Sequence, residues 1–258
     1  MAYNFKNVIQ MLVISSVAAK EIRPRVVGGV EDTDKEFPFA VVIQEAVLSG
    51  YLVCSGSLIA PLWVLTAGHC VPKPDLIIRI KYGDTKIPTN ETKFLAKVIK
   101  RIKHPSYRLS KHYVANDIGL LKTEKITNPI LGKLYAVDYR ALMGLPVKYA
   151  GFGRSELLAP GQLRPAEGSL DPPLLMGKAM VISCRQDRGL SVAHPGICVA
   201  PSCGPRQHVY FGDSGGPLVF NGRIIGVASG FESIKVPIVG FSPVSPYLDW
   251  IYDTTGAD

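Results

Sequence analysis

The sequence predicts a mostly β protein, built as an antiparallel barrel or a sandwich. Short apolar and β-branched runs recur about every ten residues, with turn signals between them and no long amphipathic stretch. Glycine and proline are plentiful, at 25 and 20 of the 258 residues, as is typical of turn-rich β proteins. The predicted strands cover residues 39–47, 51–58, 63–66, 76–81, 94–102, 118–122, 147–152, 178–182, 196–199, 217–220, 223–228 and 236–241.

Two local patterns support the same fold class. Asn221-Gly222 lies between two apolar runs and predicts a hairpin, because both residues tolerate positive φ. A single helix is predicted near the end of the chain, where Ser245 can cap it and Pro246 suits its first turn. The packing face of this helix would consist of Tyr247, Leu248, Trp250 and Ile251.

The composition allows one large domain or two small ones with a substantial core. Charged residues make up 19% of the chain and hydrophobic residues 47%, which argues against a disordered or fibrous protein. The net charge of +8 bears on solubility and non-specific binding more than on activity. The sequence contains no metal-ligand cluster, phosphate loop or nucleic-acid motif, so we expect no metal, no cofactor and no nucleic-acid partner.

The N-terminal residues are typical of a targeting segment. Lys6 precedes an apolar stretch over residues 8–19 that ends in small side chains, which predicts a cleaved signal peptide over residues 1–19. The alternative is an ordinary buried segment. No later stretch reaches about 18 uninterrupted apolar residues, so we expect no membrane association.

Five cysteines agree with export, because disulfides persist outside the cytosol, and the odd count leaves one cysteine over. Asn90 begins an N-glycosylation triplet, although such triplets are common by chance. Together with the predicted signal peptide, the cysteines indicate a secreted, extracellular protein.

Three short segments carry the groups that acyl transfer requires. His69 lies in LTAGHC, Asp117 in NDIGLL and Ser214 in FGDSGGPL. A serine is a poor nucleophile until an imidazole takes its proton and a buried carboxylate fixes the tautomer of that imidazole. The sequence therefore predicts these three residues as the catalytic groups of a serine protease.

The Ser214 segment also satisfies the G-x-S-x-G pattern of the α/β-hydrolases. Those enzymes carry serine, acid and histidine in that order along the chain, and they alternate strands with helices. Here the order is histidine, aspartate and serine, and the surroundings are rich in strands. This alternative is therefore rejected.

With these segments in this order, the chain resembles the chymotrypsin/trypsin-like serine protease family from Val26 to about Thr254. The resemblance implies an all-β fold of two six-stranded antiparallel β-barrels with a C-terminal helix. The protease domain would cover residues 26–258, with the active site in the cleft between the barrels.

The resemblance also implies a role for each site residue. His69 would act as general base and then as general acid, Asp117 as the orienting carboxylate, and Ser214 as the nucleophile. The backbone N–H groups of Gly212 and Ser214 would form the oxyanion hole.

Activation by cleavage is a further implication of the resemblance, because the segment that begins at Arg25-Val26 is similar to the activation site of this family. Residues 20–25 would be a pro-segment removed by a trypsin-like protease. The freed amino group of Val26 would pair with the carboxylate of Asp213, and this buried ion pair would act as a conformational latch.

The cysteines match the family pattern in part. The resemblance implies the disulfides Cys54–Cys70 and Cys184–Cys198, and it leaves Cys203 as the free thiol. Val147 and Phe220 occupy the positions of a third bridge, which predicts an apolar contact in place of a bond.

Primary specificity in this family comes from a pocket beside the nucleophile. Counting back along the chain places His208 at the pocket base, where trypsin-like members have an aspartate, so cleavage after arginine or lysine is disfavoured. Phe231 and Val239 fall where smaller residues keep the pocket open, which predicts a shallow pocket for small or medium apolar side chains. Ser229 is expected to donate a hydrogen bond to Asp117.

The expected partners are protein or peptide substrates, an activating trypsin-like protease and protein protease inhibitors, and we expect a monomer. Residues 83–91 hold too few carboxylates for the calcium loop of this family. The rival hypothesis is a catalytically silent, protease-like binding protein. It stays open because the segment Ser229-Gly230-Phe231 differs from the usual Ser-Trp-Gly of this family, which pairs with the substrate backbone. The intact histidine, aspartate and serine favour catalysis.

Overall fold

The computed structural model describes residues 26, 29–45, 52–71, 76–110, 114–127, 129–153, 171–184, 193–202, 207, 209, 212–233 and 236–256. The predicted signal peptide and pro-segment lie outside these residues, and so do His208 and Cys203. Among the described helices, none is long and apolar enough to cross a bilayer.

The described residues form short strands and one α-helix. The strands are β1 (Val30–Glu31), β2 (Ala40–Glu45), β3 (Leu52–Ala60), β4 (Trp63–Thr66), β5 (Ile78–Lys81), β6 (Leu95–Lys103), β7 (Arg108–Leu109), β8 (Val114–Ala115), β9 (Gly119–Thr123), β10 (Pro146–Gly151), β11 (Leu175–Ile182), β12 (Ala193–His194), β13 (Ile197–Pro201), β14 (Pro217–Phe220), β15 (Arg223–Ser233) and β16 (Val236–Pro243), and the helix is α1 (Leu248–Thr255).

Six strands of the N-terminal half close into an antiparallel barrel in the order β2, β3, β4, β9, β6 and β5. Across β4 and β9, Val64 pairs with Leu121 and Leu65 pairs with Leu120. The first pair belongs to the apolar cluster inside this barrel, and the second pair belongs to the cluster shared with the other barrel. Because successive side chains point to opposite faces, these strands are apolar on both faces.

Six strands of the C-terminal half close in the order β11, β10, β14, β15, β16 and β13, and β13 pairs back with β11. The short strand β1 joins this barrel, with Val30 opposite Met176. The interior cluster includes Tyr149, Leu218 and Phe241, all fully buried. The predicted class of two six-stranded antiparallel barrels is thus confirmed.

A shared core lies between the two barrels and beneath the C-terminal helix. Its buried side chains include Phe37 and Leu65 from the first half, Phe152 and Val227 from the second half, and Ile251 from α1. A small sheet also links the halves, because β12 pairs in parallel with β8, which pairs with β7. The two barrels are therefore joined both by the shared core and by this small sheet.

The predicted hairpin is confirmed, and the predicted start of the helix was wrong. Asn221 and Gly222 adopt φ values of 49° and 71° and join β14 to β15. At the C-terminus, Ser245 to Tyr247 form a 3₁₀ turn without a side-chain cap, and α1 begins only at Leu248. This turn buries Tyr247 in the shared core, so tertiary packing decides where the helix begins.

Candidate active site

Asp117 is the centre of the candidate site. It lies between β8 and β9, is fully buried, and receives hydrogen bonds on both carboxylate oxygens. The backbone N–H of His69 donates to Oδ1 at 2.8 Å, while His69 Nδ1 and the Ser229 hydroxyl donate to Oδ2 at 2.7 Å and 2.5 Å. A carboxylate only accepts, so Nδ1 of His69 carries a proton, and in the neutral imidazole Nε2 is the nitrogen with the lone pair.

The segment around His69 is held by covalent and steric constraints. His69 lies in a 3₁₀ turn, Gly68–Cys70, and the disulfide Cys54–Cys70 ties this turn to β3 across a Cα–Cα distance of 6.0 Å. A Cβ at Gly68 would lie 2.8 Å from the ring of Tyr107, so only glycine fits there. The His69 side chain remains 30% exposed, and a substrate can therefore reach it.

The residue before Asp117 has an unusual backbone conformation that its side chain supports. Asn116 has a φ of 51°, which asparagine tolerates better than most residues. Its amide nitrogen donates to the Ser106 carbonyl oxygen at 2.9 Å, and its amide oxygen accepts from the Tyr247 hydroxyl at 3.0 Å. These contacts fix the direction in which the Asp117 side chain leaves the main chain.

A neutral tyrosine, Tyr107, lies near this carboxylate. Burial, and secondarily the negative charge of Asp117, raise the pKa of the Tyr107 hydroxyl. Tyr107 therefore stays uncharged around neutral pH. Its ring lies against Gly68 in the His69 turn and adds no second charge beside Asp117.

The Ser214 segment packs directly against the first barrel. Gly212 and Gly215 have φ values of 96° and 80°, conformations that favour glycine. A Cβ at Gly215 would overlap the Thr66 hydroxyl and the Ser55 carbonyl oxygen. Ser214 is thereby placed beside the segment that leads into His69, although the described residues show no hydrogen bond between those two side chains. Such bonds often tighten only when substrate is bound.

Two backbone donors in this segment have no acceptor among the described residues. Gly215 N–H donates to the Ala228 carbonyl oxygen at 2.7 Å, and Gly216 N–H donates to that of Asp213 at 2.9 Å. In contrast, the N–H groups of Gly212 and Ser214 donate to no acceptor within the described part of the chain. They are the two groups predicted to form an oxyanion hole.

Asp213, beside Ser214, is fully buried. Gly153 N–H donates to its Oδ1 at 2.7 Å, and a Cβ at Gly153 would lie 2.5 Å from its Cγ. Burial, and then the charge of Asp213, raise the pKa of Tyr149. Val26 is also fully buried, within the interior cluster of the second barrel. Arg25 lies outside the described residues.

The residues predicted to line a specificity pocket are only partly described. Ser229 lies on β15 and contacts Asp117 as stated above. The Phe231 backbone pairs with Val239 on β16, and Val239 is buried in the core of the second barrel. The Phe231 side chain and His208 lie outside the described part of the structure.

Both disulfides implied by the family resemblance are present. Cys184 and Cys198 are joined across a Cα–Cα distance of 5.2 Å, in addition to Cys54–Cys70. Val147 is buried in the interior cluster of the second barrel, and Phe220 packs against that cluster. Cys54 and Cys70 lie near His69, but their sulfur atoms are bonded to each other and offer no thiolate to a metal.

Sequence reasoning missed two hydroxyl groups beside the candidate nucleophile. Ser55 donates to the Gly212 carbonyl oxygen, and Thr66 donates to the Ser55 carbonyl oxygen. Their sequence positions gave only a weak signal, namely that Ser55 follows Cys54 and that Thr66 comes shortly before His69. The Ser55 bond joins residues that lie 157 positions apart in the chain.

The two barrels and the site between them define a serine protease architecture, and comparisons with known proteins place it in one family. The trypsin family model matches residues 26–251. Serine protease 1 of Rattus norvegicus is 30% identical over 96% of this chain and 99% of its own length. Trypsin of Squalus acanthias is 31% identical over 89% and 96% of the two chains.

A solved structure agrees with these sequence matches. The structure of HL collagenase superposes with a TM-score of 0.68 at 26% identity, covering 90% of this chain and 99% of that one. The chain belongs to the trypsin family of serine proteases.

Proposed function

We propose that this protein is a secreted serine endopeptidase that hydrolyses peptide bonds through an acyl-enzyme. The observation that carries the proposal is the buried Asp117 carboxylate, which accepts hydrogen bonds from both the backbone and the ring of His69. This arrangement fixes the imidazole with Nε2 free to accept a proton. A buried carboxylate with this partner is what a serine nucleophile needs for activation.

The chemistry would proceed in two halves. Ser214 Oγ attacks the scissile carbonyl carbon while His69 Nε2 takes the hydroxyl proton, and the developing oxyanion is stabilised by the Gly212 and Ser214 N–H groups. The C–N bond then breaks, and His69 gives its proton to the leaving amine. A water molecule repeats the sequence on the ester, which releases the acid and restores Ser214.

The activity would be switched on by cleavage after Arg25. The new amino group of Val26 would pair with the buried carboxylate of Asp213, since a buried charge is stable when it is paired and hydrogen-bonded. The full burial of both residues supports this pairing. N-terminal sequencing of the active form should begin at Val26, and a fully active form with any other first residue would contradict the proposal.

The preferred substrates would carry small or medium apolar side chains at the cleaved bond. The position of Val239 in the core, opposite the Phe231 backbone, supports a shallow pocket. A peptide library should therefore show little cleavage after arginine or lysine. A profile dominated by those two residues would overturn this part of the proposal.

A covalent probe tests the main proposal against the rival of a silent binding protein. The chain beginning at Val26 and its Ser214→Ala variant are treated with a fluorophosphonate, and labelling is measured by mass spectrometry. Labelling of the first protein alone is expected. Absence of labelling in a folded protein with a confirmed Val26 terminus would favour the binding protein instead.

A further inference from the structure

Ser55 lies where the first barrel meets the segment that carries Ser214. It is fully buried in β3, directly after Cys54. Its hydroxyl group donates to the Gly212 carbonyl oxygen at 2.8 Å and accepts from the Phe152 N–H at 3.0 Å. Ser55 therefore satisfies a donor and an acceptor on two segments of the second barrel at once.

The main chain of Ser55 contacts the same segment. Its N–H donates to the Ser214 carbonyl oxygen at 2.8 Å, and its own carbonyl oxygen accepts from the Thr66 hydroxyl at 2.9 Å. The two ends of the stretch from Gly212 to Ser214 are thus both bonded to one residue. Ser55 is fully buried, and Gly212 and Ser214 are partly buried, so these hydrogen bonds are shielded in part from water and are stronger than fully exposed ones.

This contact matters because Gly212 is intrinsically free to change conformation. Glycine adopts positive and negative φ at similar cost, so the observed φ of 96° is not imposed by the residue itself. A bond to the Gly212 carbonyl oxygen fixes the peptide plane that follows Gly212. That plane and the plane of the Ser214 carbonyl group lie on either side of the Asp213–Ser214 peptide, so holding both of them limits the direction in which the Ser214 N–H points.

We propose that Ser55 is a positioning residue for the oxyanion hole, which holds the Gly212–Ser214 backbone in the orientation that stabilises the transition state. The inference rests on the proposed peptidase function and deepens it. Ser55 is buried and acts through the backbone of the nucleophile segment, without touching substrate.

The same strand contains a matched control. Ser57 lies two residues after Ser55 on β3, points to the same face, and is also fully buried. Its hydroxyl oxygen has no hydrogen-bond partner within the described part of the chain. Ser57→Ala therefore removes a buried serine hydroxyl from the same strand without removing a side-chain hydrogen bond to any described residue.

The experiment compares the wild type, Ser55→Ala and Ser57→Ala, each beginning at Val26 and quantified as folded protein by circular dichroism. The probe is 4-nitrophenyl acetate, an activated ester that needs no specificity pocket. A neutral hydrogen bond contributes about two- to twelvefold, so kcat of Ser55→Ala should fall about tenfold with KM nearly unchanged. Ser57→Ala should match the wild type.

Two further measurements separate positioning from mere structural support. Benzeneboronic acid forms a tetrahedral adduct on the serine, so its inhibition constant should rise in Ser55→Ala by the same factor by which kcat falls. Ser55→Thr keeps the hydroxyl and should restore most of kcat. A purely structural role would lower thermal stability without changing kcat per folded molecule.

The outcomes are distinct. An unchanged kcat in Ser55→Ala, or an equal loss in Ser57→Ala, overturns the inference. Ser55→Gly provides a second removal variant that fills no new space, and it replaces Ser55→Ala if that protein does not fold. A folded wild type that reacts with neither the ester nor a fluorophosphonate overturns the proposed function, and this inference falls with it.

Discussion

Lys81 and Asp171 form an ion pair that joins the two halves of the molecule. The Lys81 side chain is completely buried on β5, and Asp171 lies shortly before β11 with 24% of its side chain exposed. The ammonium group also donates to the Ile87 carbonyl oxygen at 2.6 Å, and the Thr89 hydroxyl donates to Asp171 at 2.8 Å. Both charges are thus hydrogen-bonded, as a buried pair requires.

Removal of this cation should destabilise the fold. Lys81→Met removes the ammonium group that pairs with the partly buried Asp171 carboxylate, and loss of one partner of a buried pair costs about 3–5 kcal/mol. We expect the free energy of unfolding, measured in urea, to decrease by an amount near the lower end of that range, because Asp171 is partly exposed. The measurement is best made in a Ser214→Ala background, where self-digestion is absent.

Lys86→Met is the matched control for this change. Lys86 pairs with Glu31 at the surface, where the two side chains are 56% and 40% exposed. Exposed pairs contribute about 0–1 kcal/mol, so the control should remain near the wild type. Equal losses in both variants would show that the Lys81 pair contributes no more than a surface pair.

Ser229→Ala should lower kcat/KM about ten- to hundredfold. The Ser229 hydroxyl donates to Asp117 Oδ2 at 2.5 Å, and a hydrogen bond to a charged group contributes about 1.5–3 kcal/mol. Ser242→Ala is the control, since Ser242 is buried on β16 with no hydroxyl partner in the described residues. Wild-type kinetics in Ser229→Ala would show that Asp117 keeps its catalytic orientation without the hydrogen bond from the Ser229 hydroxyl.

Gly153→Ala should abolish most activity while leaving a folded protein. The new Cβ would lie 2.5 Å from Asp213 Cγ and 2.7 Å from its backbone nitrogen, so the Asp213 side chain and the adjacent Ser214 must shift. Turnover of 4-nitrophenyl acetate is the readout, and we expect a loss of at least about a hundredfold, comparable to losing one oxyanion donor.

Gly222→Ala provides the comparison for Gly153→Ala. Gly222 has a positive φ of 71°, and a Cβ there would meet nothing within 4 Å. Backbone strain of about 1–2 kcal/mol should lower stability without lowering kcat. If Gly153→Ala kept full activity, the Asp213 side chain would not need its present position.

His104 should make stability depend on pH. Its ring packs against Tyr247 and Trp250, with centroids 4.9 Å away in each case, and burial lowers its pKa from the usual 6.5. As pH falls below 6.5, the unfolded chain binds a proton first. The His104 contribution to the free energy of unfolding is therefore complete above pH 6.5 and is lost as pH falls toward the lowered pKa of His104 in the folded protein.

The pH effect is measured by comparison with His104→Phe, which keeps an aromatic ring in the same place. Free energies of unfolding are determined from about pH 8 to about pH 5, again in a Ser214→Ala background. The stability advantage of the wild type over His104→Phe should shrink on acidification. A difference that stays constant across this range would contradict the role given to His104.

Local patterns predicted the fold well where one residue type determines the backbone. Asn221-Gly222 determines its hairpin through positive φ, and recurrent apolar runs predicted most strands. The two-residue strands β1, β7, β8 and β12 were missed because they are too short to show any periodicity. Their pairing depends on partners elsewhere in the chain.

The site could be predicted only as far as its residue types allow. Histidine, aspartate and serine in characteristic segments indicate the chemistry, and their catalytic roles stay a prediction here. Ser55 could not be found in this way, because it lies 157 residues from Gly212 in sequence. Lys81 shares a strand face with the exposed Arg79, so alternation predicts an outward side chain. Asp171 and the loop containing Ile87 cover it instead.

The pairing of β1 with β11 limits how far a freed N-terminus could move. Val30 is held opposite Met176, so a chain that begins at Val26 has an end only four residues from a fixed point. Such a tether spans at most about 14 Å, and short tethers give effective concentrations on the order of millimolar or higher. Insertion of the terminus would therefore be intramolecular, and the extent of activation would follow the number of Arg25 bonds cut, independent of how dilute the protein is.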